Sequence, residues 1–104
     1  MKILIAEYAS ALGLGGTCEQ EGRAMLATLA SSFEKAWHEV IYPTSGPTVE
    51  AGRPILIKGE EEFEGALDCQ ADAGLLIAPD GLQPHLLEIL EKNMVNLGAT
   101  PAAA

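Results

Sequence analysis

The stretch KILIAEYASALGLGGTCEQEGRAML, residues 2–26, decides how this chain is read. It opens on a short apolar run, Ile3-Leu4-Ile5. It then passes glycines at 13, 15 and 16 and enters a segment of helical period. Strand, glycine turn, helix is the repeating piece of α/β folds. Thr17-Cys18-Glu19-Gln20 has the form of a capping box, which predicts a helix capped by Thr17 with Gln20 answering three residues on. Met25, Leu26, Leu29, Ala30, Phe33 and Trp37 follow at helical spacing and are expected to face a sheet.

The same alternation continues downstream. Val40-Ile41-Tyr42, Ile55-Leu56-Ile57 and Leu75-Leu76-Ile77 are continuous apolar runs, and Met94-Val95-Asn96-Leu97 is a weaker fifth. Continuous rather than alternating runs suit strands buried on both faces, as in parallel sheets. Residues 60–70 carry a shorter helical pattern with Phe63, Ala66 and Leu67 on one side. Residues 84–92 carry another, with Pro84 suited to the first turn. The connection PTSGPTVEAGRP, residues 43–54, has no helical period and is barely long enough for a crossover, so the third strand could run either way. The pattern predicts one three-layer α/β/α Rossmann-like domain over residues 1–100, with a mainly parallel sheet of four or five strands. Residues 101–104 are expected to fray.

Composition narrows the partners. The 104 residues carry six Lys and Arg against fifteen Asp and Glu, a net charge of −9. Such a surface repels nucleic acid and anionic lipid. No apolar stretch approaches bilayer length, and Glu7 interrupts the first run too early for a signal peptide, so a cytoplasmic protein is expected. Cys18 and Cys69 have neither redox nor metal spacing and are expected to be reduced.

The glycine loop fails the phosphate motifs. Gly13-Leu14-Gly15 begins a dinucleotide fingerprint, but Cys18 stands at the third glycine position. No acidic residue follows the second strand, and no Gly-Lys-Ser/Thr exists. Glu19 and Glu21 already sit in the first helical turn, where a phosphate would otherwise bind. If the loop is a site, Glu7, Glu19 and Glu21 would form a negative rim favouring a small amine; otherwise Glu7 caps the loop while Glu19 and Glu21 only complement the helix dipole. The candidate ligand-binding residues are therefore Glu7, Gly13, Gly15 and Gly16, with Asp80 at the end of the fourth strand. Arg23 is expected to pair with Glu19 four residues back. His38, His85 and Glu60-Glu61-Glu62 read as structural or solvated. No catalytic set, metal site or cofactor site is expected in this chain.

MKILIAEYASALGL, EGRAMLATLASSFEKAWHEV, ADAGLLIAPDG and NLGATP together resemble the N-terminal region of archaeal ATP-grasp ligases, in the tyramine–glutamate ligase group. The resemblance covers nearly the whole chain. Its most specific part is the Glu21–Leu26 block and its spacing to His38-Glu39-Val40. Trp37 stands where Gly commonly precedes His-Glu-Val, and Asp80 where Glu commonly follows Ala-Pro. The resemblance implies a pre-ATP-grasp domain that is not catalytic by itself, as a fragment or a separately encoded subunit. ATP, Mg²⁺ and the acyl-phosphate chemistry would belong to following domains of a carboxylate–amine ligase. It further implies a homodimer or docking to that catalytic part, and a small amine or amino-acid ligand. The alternatives are a stand-alone small-molecule-binding or regulatory module of the same fold, and a small enzyme using Glu7 and Asp80 as an acid/base pair.

Overall fold

The computed structural model describes residues 1–101, with side chains through residue 98. Five strands, β1 (Lys2–Glu7), β2 (Glu39–Thr44), β3 (Arg53–Leu56), β4 (Ala73–Ala78) and β5 (Val95–Pro101), form one sheet in the order β3-β2-β1-β4-β5. Every pairing is parallel. Four helices accompany it: α1 (Tyr8–Leu12), α2 (Gly16–Lys35), α3 (Glu60–Leu67) and α4 (Gln83–Leu90). The molecule is thus a three-layer Rossmann-like α/β domain. Pro101 closes β5, and the expected fraying of the last residues lies outside the described ones.

Alternation along the strands sorts the core into two layers. Leu4, Ala6, Ile41, Leu76 and Ala78 face α3 and α4, where they meet Phe63, Leu67, Leu86 and Leu90. Ile3, Ile5, Val40 and Tyr42 face α2, where Leu26 and Ala30 are buried against them. Helix α3 keeps Phe63, Ala66 and Leu67 inside, as its pattern predicts, and Pro84 occupies the first turn of α4.

The direction of β3 is settled by its connection. Residues 45–52 return along the α2 face without a helix. Stretched at about 3.3 Å per residue they span roughly 26 Å, enough to retrace a six-residue strand of about 20 Å. Val49 and Ala51 pack on the core beside Tyr42. The Tyr42 hydroxyl accepts from the Val49 N–H at 3.0 Å, and Glu34 of α2 accepts from the Gly52 N–H at 2.8 Å.

Three sequence expectations are corrected. Residues 8–12 are a helix rather than loop. Helix α2 starts at Gly16 after Gly15, and Thr17 does not cap it. Trp37 does not face the sheet. The chain leaves α2 at Lys35, and Trp37 is 93% exposed with φ of +69°.

Candidate functional site

With all strands parallel, the segments following β1, β2, β3 and β4 gather at one edge of the sheet. Open α/β sheets bind ligands there, where the strand order reverses. Here the reversal falls between β1 and β4, whose last paired residues are Glu7 and Ile77.

Helix α1 fills that position. Glu7 ends β1 in extended conformation, and its Oε1 accepts the Ser10 N–H at 2.6 Å, an N-cap that starts a helix at once. Tyr8, Ala9, Ser10 and Ala11 are buried against α2, α3, β2 and β4. The helix ends at Gly13, whose φ is +64°. The Leu14 N–H reaches the Ala9 carbonyl at 3.1 Å and the Gly13 N–H the Ser10 carbonyl at 3.3 Å, closing a Schellman motif.

Glu7 is 2% exposed. Its carboxylate lies directly under α2, where a Cβ placed on Gly22 would come within 2.2 Å of Oε1. Gly22 is therefore the close-approach residue that lets α2 lie over the carboxylate. Glu7 is thus enclosed while Asp80 is exposed.

The negative rim expected from Glu7, Glu19 and Glu21 does not form. Glu7 is internal. Glu19 turns back over the loop and accepts the Gly15 N–H at 2.9 Å, while Arg23 pairs with its other oxygen. The Arg23 guanidinium, helped by the Gly15 N–H, holds the Glu19 carboxyl below its ordinary range. Glu21 alone remains exposed. The N–H groups of Gly13, Leu14 and Gly15 thus all donate internally.

The exposed candidates are Gly13, Gly15, Gly16 and Asp80. Gly13 borders the segment after β2, since a Cβ on it would stand 2.9 Å from Ser45 Oγ. Asp80 begins a tight turn in which the Leu82 N–H meets the Pro79 carbonyl at 3.0 Å, and Gln83 Nε2 donates to the Ala78 carbonyl at 2.9 Å. The structure places the glycines and Asp80 on the same edge but draws them into no shared cluster. Among the described residues, no group of three or more His, Cys, Asp or Glu is arranged to hold a metal ion. His85 instead meets Glu64 at 3.3 Å, and His38 Nδ1 lies 3.2 Å from the amino terminus.

Sequence reading passed over Tyr8. Its hydroxyl donates to Glu60 at the start of α3, and its ring meets Phe63 edge-on at 5.3 Å. Burial, the bond to Glu60 and nearby negative charge push the phenol up to about 12. The protonated form is the one the fold favours, so this group adds stability below its ordinary pKa near 10. That contribution is lost as pH rises from about 10 to about 12. An ultraviolet phenolate titration is expected to show one tyrosine with a midpoint near 12, and Glu60→Gln should lower it. A single wild-type transition near 10 would contradict the contact.

A different surface is open. By register with Ile3 and Ile5, Ala73 and Leu75 of β4 face the α2 layer, and Val95 of β5 shares that face through its pairing with Ala73. Ala73 is buried, and Leu75 is half-buried against the α2 layer. Ala24, Met25, Thr28 and Leu29 of α2 and Leu75 and Ile77 of β4 enclose an apolar groove of about 560 Å³. Val95 beyond it is 65% exposed. Helices α3 and α4 cover the other face of the sheet, so the groove lies on the α2 face alone. No helix among the described residues is long and apolar enough to cross a membrane. No family model matches the chain, and comparisons with curated proteins and with solved structures find no match.

Proposed function

We propose that this chain is the non-catalytic, substrate-side docking domain of an ATP-grasp carboxylate–amine ligase, joined to its catalytic part or encoded separately from it. The observation that supports this reading is the open apolar groove between α2 and β4, with Val95 exposed beyond it. A parallel sheet is ordinarily covered on both faces, so an open apolar groove on one face suits a domain that packs against a neighbour. The partner class comes from the resemblance to pre-ATP-grasp domains. In this reading ATP and Mg²⁺ bind to the catalytic part. The exposed strand-end edge at Gly13, Gly15, Gly16 and Asp80 borders the amine or amino acid, and Glu7 serves that edge by holding α1 in place. A second reading, a stand-alone binding module, is favoured by the groove volume, which falls within the range of small-molecule pockets.

Calorimetry tests the proposal. The isolated chain is expected to show no heat of binding with ATP and Mg²⁺. It is expected to bind the ATP-grasp chain encoded with it at micromolar affinity or better, and Met25→Asp should weaken that binding roughly tenfold or more. Micromolar ATP binding by the chain alone, or no association with the catalytic chain, would overturn it.

A further inference from the structure

Asp80-Gly81 is the one place in the chain where Asp or Asn precedes Gly. Asp68 precedes Cys69, Asp72 precedes Ala73, Asn93 precedes Met94 and Asn96 precedes Leu97. The side chains of those four are also held. Asn93 Nδ2 donates to Asp68, and Asp72 Oδ2 accepts the Lys2 N–H at 2.6 Å. Asn96 Oδ1 accepts the Gly98 N–H at 2.7 Å, and its Nδ2 donates to Glu91 at 3.3 Å. Asp80 differs in both respects: a glycine follows it, and among the described residues no hydrogen bond or ion pair holds its carboxylate.

The backbone beside it is equally open. Pro79, Asp80 and Gly81 are exposed in the turn between β4 and α4. Two bonds fasten that turn, from the Leu82 N–H to the Pro79 carbonyl at 3.0 Å and from the Gln83 N–H to the Asp80 carbonyl at 3.3 Å. The Gly81 N–H takes part in neither and has no acceptor among the described residues. A Cβ built on Gly81 would meet nothing within 4 Å, and its φ is not positive. The amide nitrogen that follows Asp80 is therefore neither bonded nor crowded, and glycine leaves its backbone free to turn toward the carboxyl.

We infer that Asp80 is a site of spontaneous isomerisation to isoaspartate in the folded domain. The Gly81 nitrogen attacks Cγ of the protonated Asp80 carboxyl. The N–Cγ bond forms, the Cγ–OH bond breaks, and the hydroxyl leaves as water with the amide proton. Water then opens the resulting succinimide at either carbonyl. Opening at Cγ restores aspartate. Opening at the main-chain carbonyl breaks the original peptide C–N bond, so the chain now runs through Cβ and Cγ. The mass returns to that of the parent, and water is the only co-reactant. The product lengthens the main chain by a carbon and leaves the carboxylate directly on Cα. Both bonds that fasten the turn bracket this link, so α4 loses its fastened start and the carboxylate at the candidate ligand edge is displaced. The inference stands on this turn alone and does not rest on the docking proposal.

The purified chain is held for weeks at physiological temperature and mildly acidic pH. It is then digested with a protease that cuts before aspartate but not before isoaspartate, and the fragments are assigned by electron-transfer mass spectrometry. Cleavage before residue 80 is expected to fall with time at unchanged mass, while cleavage before Asp68 and Asp72 stays complete. The rate in the folded chain is expected to lie within roughly tenfold of that in a free peptide of residues 77–84, a barrier difference of no more than about 1.4 kcal/mol. Asp80→Glu should abolish the reaction, because its side chain would have to close a larger ring. Gly81→Ala should slow it roughly tenfold, since the new methyl crowds the attacking nitrogen. That variant should melt no lower than the parent, because the methyl has open space. Complete cleavage before residue 80 in the aged fold while the peptide isomerises would overturn the inference. So would equal losses at Asp68 or Asp72, or a Gly81→Ala rate equal to the parent's.

Discussion

Phe63→Ala is expected to destabilise the domain by about 3–5 kcal/mol, the usual cost of removing a buried phenylalanine. Phe63 is fully buried on the first turns of α3, among Leu4, Tyr8 and Leu67. Its ring meets Tyr8 edge-on at an interplanar angle of 85°. It therefore joins α3 to the short helix that fills the strand ends. A domain of this size holds roughly 5–15 kcal/mol in all, so this one side chain carries a large share. Urea unfolding should show a lower midpoint with an unchanged slope. Amides of residues 8–12 should lose hydrogen-exchange protection beyond the global loss, because α1 is too short to persist without its packing. A loss below about 1 kcal/mol would mean that α1 and α3 are not packed through this ring.

Gly22→Ala gives the second large effect, and two physical terms oppose each other. Inside a long helix, alanine is favoured over glycine by about 1 kcal/mol. Against that, the new methyl would lie 2.2 Å from Glu7 Oε1 and 2.3 Å from its Cδ. The carboxylate could move only by giving up the Ser10 N–H that starts α1, or α2 could lift from the sheet. Overpacking and a lost buried hydrogen bond together exceed the propensity gain, so a net destabilisation of about 2 kcal/mol is expected. The coupling is testable. Glu7→Ala alone removes the cap, at about 1 kcal/mol. In the double variant the Gly22→Ala penalty should largely vanish, since its cause is gone. A stabilising Gly22→Ala, or strict additivity with Glu7→Ala, would show that the two residues do not touch.

Much of the architecture could be read from residue patterns because the interactions that produce it are local or periodic. Apolar runs such as Ile3-Leu4-Ile5 and Leu75-Leu76-Ile77, without alternation, require burial on both faces. Helical patterns between them leave the parallel α/β arrangement as the natural solution. The i,i+4 pair of Glu19 and Arg23, the acidic start of α3 and Pro84 in the first turn of α4 are likewise set within a few residues of sequence. The candidate site was legible only as an edge. Gly13, Gly15, Gly16 and Asp80 do lie there, exposed, but their chemistry depended on what stands beside them.

Those neighbours were decided in three dimensions. The sequence left Glu7 as either a ligand-facing carboxylate or a cap for the loop, because its sequence neighbours are a strand and a turn; it is the cap. It is buried because α2 returns over it and Gly22 leaves room. Tyr8–Leu12 carried too few residues for a helical signal, and it is a helix because a cap at one end, a left-handed glycine at the other and packing on every side replace the missing length. Trp37 continued the helical spacing of α2, yet the chain turns left-handed at that residue and aims it into solvent. The direction of β3 depended on whether eight residues could retrace β2, which the Tyr42–Val49 contact and the Glu34–Gly52 bond answer. Sequence alone determined the layers, the strands and the acidic charge around the glycine turn, because period, propensity and charge act over short range. Which carboxylate is enclosed, which aromatic is exposed and where an apolar groove stays open were decided only by the tertiary structure, because each depends on elements far apart in the chain competing for the same space.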